Sequence, residues 1–177
     1  PNFLYKSVSA EKIKILLKNY KLSDDIAFRF SDKNWVEYPM TANKFTKWIN
    51  KINGRGEMIN LFMDYETFGE HQWEDKGIFD FLEHFPGEVQ KHKDNEFLTP
   101  SEVVEKYEIK DKIDVHNIVS WADIERDLSA WLGNKMQQSS IKELYMLEKM
   151  VKDSRDEDLI DRWRKLQTSD HFYYMCT

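Results

Sequence analysis

Five side chains able to move protons or grip polar ligands, Asp64, Glu66, Glu70, His71 and Gln72, fall within nine residues, among Tyr65, Phe68 and Trp73. They follow Met58–Met63, a short apolar run with β-branched and aromatic members. That run comes after the turn-like Asn53-Gly-Arg-Gly56 and reads as a buried strand. Gly69 lets the backbone bend among the acids without a Cβ penalty. Acids at the C-terminal end of a barrel or open-sheet strand stand where α/β proteins place their chemistry. Two readings fit the pattern. One is a carboxylate pair in an aromatic-lined cleft, as glycoside hydrolysis needs: one acid protonates the leaving oxygen, a second group attacks or activates water, and flat faces hold the sugar. The other is a strand that ends in solvated acids, since charged residues are mostly exposed.

The flanking segments must position these groups. Residues 3–8 read as an extended connection. Ser7 or Ser9 can cap a helix over 10–20, with Ile13, Ile15, Leu16 and Leu17 on its apolar face. Asp25–Phe30 alternates like a short strand, and Ser31, Asp32 and Trp35 follow in a loop that faces a ligand or is a plain βα connection. Thr41 caps a helix over 42–51, and Glu74–Phe85 forms another that Pro86-Gly87 stops. Helix, strand, helix, strand implies parallel α/β units, whose two strands call for further strands beside them. Thr99-Pro-Ser-Glu102 has the form of a capping box, and 108–119 reads as loop. Residues 121–172 read as helices over 121–132, 135–152 and 157–167, a bundle-like module.

With 33% charged and 41% apolar residues, the 177-residue chain is globular, and a net charge of −6 without a Lys/Arg cluster argues against nucleic acid. No run approaches the ~20 apolar residues of a membrane span. The single cysteine, Cys176, excludes an internal disulfide and fits either a reducing compartment, with the cytoplasm as the expected location, or indifference to redox. Cys/His ligand spacing is lacking, so neither a metal nor another cofactor is expected. The chain opens on Pro1 and stops soon after an aromatic run, which reads as a piece of a longer protein.

Phe62-Met-Asp-Tyr-Glu-Thr-Phe-Gly-Glu-His-Gln72 resembles the fourth conserved region of glycoside hydrolase family 57, a family of archaeal and thermophile α-amylases and glucanotransferases. Leu98–Val103, Ser120–Asn134 and Leu166–Met175 are similar to later stretches of its amylase-like branch, in the same order. The resemblance implies the C-terminal part of a distorted (β/α)7 barrel over 1–95, followed by a helical subdomain over 96–177 that closes the cleft. It implies Asp64 as general acid/base of a retaining α-glucan (starch or maltodextrin) hydrolase. The glutamate nucleophile would lie in the N-terminal part of the same enzyme, and this chain alone would be inactive. It implies Trp121 as a sugar platform and Asp170 as a second acid that binds a hydroxyl or tunes Asp64. Glu66 shares that role or caps the helix at Trp73. Trp35, His71, Gln72, Trp73 and His171 complete the implied substrate side. Other functions remain open at this point: a noncatalytic carbohydrate-binding part or subunit, a 4-α-glucanotransferase, a branching enzyme, or a helical interaction protein.

Overall fold

The computed structural model describes residues 1–120, 122 and 124–175, in two compact units, Pro1–Asp114 and Val115–Thr177. The first unit opens with β1 (Leu4–Ser7) and β2 (Lys14–Leu16), which are joined across a hundred residues by β3 (Ile109–Ile113) in the order β2-β1-β3. β1 runs antiparallel to β2, with Leu4 opposite Leu16, and parallel to β3, with Tyr5 opposite Asp111. The helix expected over 10–20 is therefore a hairpin arm. Ser7 Oγ accepts from Ala10 N at 3.1 Å and Ser7 N donates to Ile13 O at 3.1 Å, so the serine closes a turn instead of capping a helix. The extended 14–16 run satisfies its backbone on β1.

The strand expected over 25–30 is instead the end of a helix, α1 (Tyr20–Ala27). Asn19 Oδ1 caps it by accepting from Leu22 N at 3.2 Å, and Ser23 Oγ donates to Asn19 O at 2.8 Å. Leu22, Ile26 and Phe30 recur every fourth residue and are all buried, which outweighs the local alternation. α2 (Ala42–Asn50) forms where its Thr41 cap and inward Phe45 and Ile49 place it. α3 (Ile78–Gln90) runs through Pro86, contrary to the stop expected there, because Phe81, Phe85 and Val89 line one buried face. Phe45, fully buried, meets Phe81 at 5.7 Å and Phe85 at 5.5 Å between ring centroids, and Phe30 joins Phe81 at 5.4 Å. α4 (Pro100–Lys106) starts in the expected capping box: Thr99 Oγ1 accepts from Glu102 N, while Glu102 Oε2 accepts from Thr99 N at 2.7 Å.

Met58–Met63 lacks a strand ladder. Its one bridge joins Asn60 to Lys18. Ile59, Leu61 and Met63 pack on the core while Phe62 points out, so the alternation of a strand survives without strand partners. The first unit is thus mixed α/β with a three-stranded sheet, and the described residues do not show the barrel portion expected for it. The parallel pairing of β3 with β1 ties Ile109–Ile113 into this unit.

The described elements of the second unit are all helical: α5 (Ser129–Leu132), α6 (Lys135–Met146), α7 (Glu148–Ser154), α8 (Glu157–Lys165) and α9 (Ser169–Tyr173). Of the helix expected over 121–132, residues 121 and 123 lie outside the described residues, and among the rest only the last turn, Ser129–Leu132, is helical. Ser120 closes a loop instead, donating from N to Arg126 O at 2.9 Å and from Oγ to Asp127 O at 2.6 Å. Leu144, Val151, Trp163 and Phe172 form the core. The fully buried Gln137 stitches it by donating from Nε2 to Ala130 O and Phe172 O. Among the described residues no helix is long and apolar enough to cross a membrane.

Replacing Phe45 by alanine leaves a cavity among three rings and is expected to cost about 3–5 kcal/mol in urea unfolding, with Phe45→Leu costing markedly less. The Thr99 backbone N–H and hydroxyl hold the Glu102 carboxyl below its usual value near 4.5. A depressed carboxyl stabilises the fold above that usual value and loses its contribution as the pH falls through the lower folded value. The stability difference between wild type and Glu102→Gln, followed by thermal unfolding, should therefore be present at pH 6 and shrink below about pH 4.5.

Candidate active site

The acid-rich stretch folds as one closed loop at the end of the 58–63 segment. Asp64, half-buried and extended (φ −72°, ψ 152°), heads a single 3-10 turn over Tyr65–Thr67. Thr67 N donates back to Asp64 O at 3.1 Å, and Glu70 N and His71 N both donate to Glu66 O, at 3.2 and 2.9 Å. Gln72 N then donates to Thr67 O at 3.0 Å, while Gly69 N donates to Gln72 O at 2.9 Å. Gly69 sits at φ +110°, a backbone state that side-chain-bearing residues rarely adopt. A Cβ there would also come within 3.3 Å of Phe79 Cζ.

The loop has two sides. Thr67 and Gln72 are buried and Phe68 packs on the hydrophobic core. Tyr65 is 95% exposed and Trp73 63% exposed, and Glu66, Glu70 and His71 also face solvent. Trp73 Nε1 donates to Glu70 O at 2.5 Å, which holds the indole against the loop. Glu66 enters the loop's closure through its backbone carbonyl.

Gln72, expected on the substrate side, is only 4% exposed, and its amide points into the body. Nε2 donates to Ala27 O at 2.7 Å and Oε1 accepts from Ser31 Oγ at 2.5 Å. Trp35, expected to face a ligand, is half-buried against Trp48, with ring centroids 5.9 Å apart. A cavity of about 200 Å³ in this unit is lined by Ile49, Met58, Ile59, Leu61, Phe85 and Val89 among others, and Asp64 does not border it.

In the second unit, the two stretches 120–134 and 166–175, which carry the resemblance to the family's later motifs, converge. Ser120, Trp131, Tyr145, Gln167, Ser169 and Phe172 border one open pocket of about 290 Å³. Tyr145 Oη lies 3.4 Å from Gln167 Oε1, and Trp131 leans on Tyr173 at 5.9 Å. Asp170 and His171 stand exposed on α9 beside it. Trp121 lies outside the described residues. No three His, Cys, Asp or Glu side chains converge as metal ligands among the described residues.

Residues 1–116 match the model of Glycosyl hydrolase family 57. The chain belongs to that family. It is also 47% identical, over 98% of its length, to a Methanocaldococcus jannaschii protein named "Putative alpha-amylase". The chain spans 38% of that relative's length. No solved structure matches it significantly.

The family 57 match takes in the whole first unit and with it the Asp64 loop. Sequence reasoning did not pair Ser31 or the Ala27 carbonyl with Gln72, nor Phe79 with Gly69. Ser31 stood beside Asp32 in a loop read as facing a ligand or as a plain connection, but its partner is 41 residues away. A backbone carbonyl such as that of Ala27 carries no residue-type signal at all.

Gly69→Ala combines an unfavourable φ with a close ring contact and is expected to cost on the order of 1–3 kcal/mol in thermal unfolding of this family 57 chain. A change within a few tenths of a kcal/mol would mean that the loop is not held in this conformation.

Proposed function

We propose that this chain supplies the general acid/base, Asp64, of a retaining α-glucan hydrolase that acts on starch or maltodextrin. The observation that carries the reading is the Asp64 loop. A half-buried carboxylate heads a hydrogen-bonded turn, beside the exposed ring faces of Tyr65 and Trp73, in a chain of family 57. The name of the M. jannaschii relative supports the choice of an α-glucan.

In the proposed reaction a glutamate outside these 177 residues attacks the anomeric carbon. As the glycosidic bond breaks, the Asp64 carboxyl gives its proton to the departing oxygen. The resulting carboxylate then takes a proton from water, whose oxygen bonds to the anomeric carbon as the carbon–oxygen bond to the glutamate breaks and frees the nucleophile. Such a pair of carboxyl groups stands about 5–5.5 Å apart in retaining enzymes. The N-terminal part of the same enzyme would bring that glutamate, together with strands alongside Met58–Met63 that complete a (β/α)7 barrel. The alternating, ladder-free 58–63 segment supports this, since it already faces the core on one side. The second unit has a pocket of its own, lined mainly by Leu128, Leu132, Ile141, Leu144 and the rings of Trp131, Tyr145 and Phe172, and on that unit the exposed Asp170 and His171 are proposed as glucan contacts. Glu66, His71, Trp73 and Trp121 are proposed as substrate contacts and Trp35 as a support for them. The work is assigned to the cytoplasm, where a single cysteine needs no partner.

Asp64→Asn in the full-length protein keeps the shape of the side chain and removes the transferable proton. It is expected to lower kcat on soluble starch by about 10²–10⁴-fold, the usual worth of general acid–base catalysis, with an unchanged unfolding midpoint. Near-wild-type turnover would take Asp64 out of the reaction.

A further inference from the structure

The role of Gln72 is not explained by a surface that binds glucan. It is the one long polar side chain of the 64–73 loop that is buried, at 4% exposure, and both ends of its amide are engaged by the segment that ends α1. A neutral amide offers a donor and an acceptor in fixed relation. Here the donor meets a backbone carbonyl, Ala27 O, and the acceptor meets a hydroxyl, Ser31 Oγ. The same residue closes the loop with its backbone: Gln72 N holds Thr67 O, Gln72 O receives Gly69 N, and Thr67 N reaches Asp64 O. Two hydrogen bonds thus separate the Gln72 backbone from that of Asp64, and two more fix Gln72 to the body of the unit.

We propose that Gln72 is the positioning residue of the proton donor, acting through the backbone of Thr67 to set where the Asp64 carboxyl stands, without touching substrate. This rests on the assignment of Asp64 as general acid/base. Sliding or turning the loop would break two buried hydrogen bonds and strand a carbonyl, a hydroxyl and an amide, so the loop has one seat. A proton donor misplaced by about 1 Å loses on the order of 10²-fold in rate. The chemistry of the seat also selects glutamine. An ionised glutamate at 72 would set one acceptor against another at Ala27 O. A protonated glutamate would restore the pattern, donating its hydroxyl to Ala27 O and accepting from Ser31.

The test uses the full-length protein and soluble starch. Gln72→Met keeps the volume and removes both hydrogen bonds. It is expected to lower kcat by about tenfold or more while KM changes by less than about twofold, because the loop is displaced and substrate contacts are kept. Gln72→Glu is expected to lose activity at neutral pH and to recover relative to wild type as the pH falls, whereas Gln72→Met shows the same fractional loss at every pH. A packing role would leave Gln72→Met near wild type in kcat, and a substrate-binding role would place the loss in KM. Either result overturns the proposal, as does a Gln72→Glu profile parallel to that of wild type. Should either variant fail to fold, Ser31→Ala removes one of the two bonds from a half-buried position. An undiminished kcat there overturns the proposal, and a loss of several-fold supports it. Asp64→Asn, measured alongside, separates the two levels. Full activity in that variant defeats the assignment of Asp64 and Gln72's role with it. An inactive Asp64→Asn with a fully active Gln72→Met defeats the positioning role alone.

Discussion

A buried primary amide must be answered at both ends, and in the first unit that requirement falls on Gln72. Leaving either end unpaired would cost on the order of 1–3 kcal/mol, so the carbonyl of Ala27 and the hydroxyl of Ser31 decide where the loop can sit. Their own positions follow from α1, which Asn19 caps and which Leu22, Ile26 and the neighbouring Phe30 bury against the aromatic cluster of Phe45, Phe81 and Phe85. The chain of causes runs from a period-four apolar pattern to a helix end, then to an amide, then to a closed loop, and last to a carboxyl. Each step is short in space, although the amide's partners lie more than forty residues away along the chain.

The parts of the fold that were legible in the sequence have local causes. The Thr41 cap and the inward positions of α2, and the Thr99-Pro-Ser-Glu102 box of α4, can each be read within four residues. The helix expected over 157–167 forms as α8, and the Asp156 side chain, not read as its cap, accepts from Asp158 N and Leu159 N. The parts that misled have distant causes. Lys14–Leu16 becomes a strand because β1 lies beside it, and Ile109–Ile113 because β1 pairs with it across about a hundred residues. The charged Lys110, Asp111 and Lys112 in that edge strand read as loop, and charge is the usual guard of an open sheet edge. Pro86 predicts a stop that the burial of Phe85 and Val89 overrides.

The candidate site divides in the same way. Asp64, Tyr65, Trp73 and their neighbours were picked out by residue type and spacing, and they do form one hydrogen-bonded loop. The direction each side chain takes was not legible. Gln72 and Trp35 read as ligand-facing, yet one turns its amide inward and the other packs on Trp48. In the second unit the separation between Ser120 and Gln167 along the chain hid their meeting at one pocket, although both stretches carried the family resemblance. Family membership rests on the ordered motifs and on the matches to known proteins. It does not depend on any one of these orientations.

The central claim is that Asp64 delivers a proton to the departing oxygen, and dependence on the leaving group tests it most directly. A substrate whose aglycone leaves as a stable anion, such as a dinitrophenyl maltoside, needs no proton at that oxygen, whereas maltodextrin does. In the full-length protein, Asp64→Asn is predicted to lose most of its first-step rate on maltodextrin and to keep most of it on the dinitrophenyl maltoside. Equal losses on the two substrates, or none on either, would contradict the account.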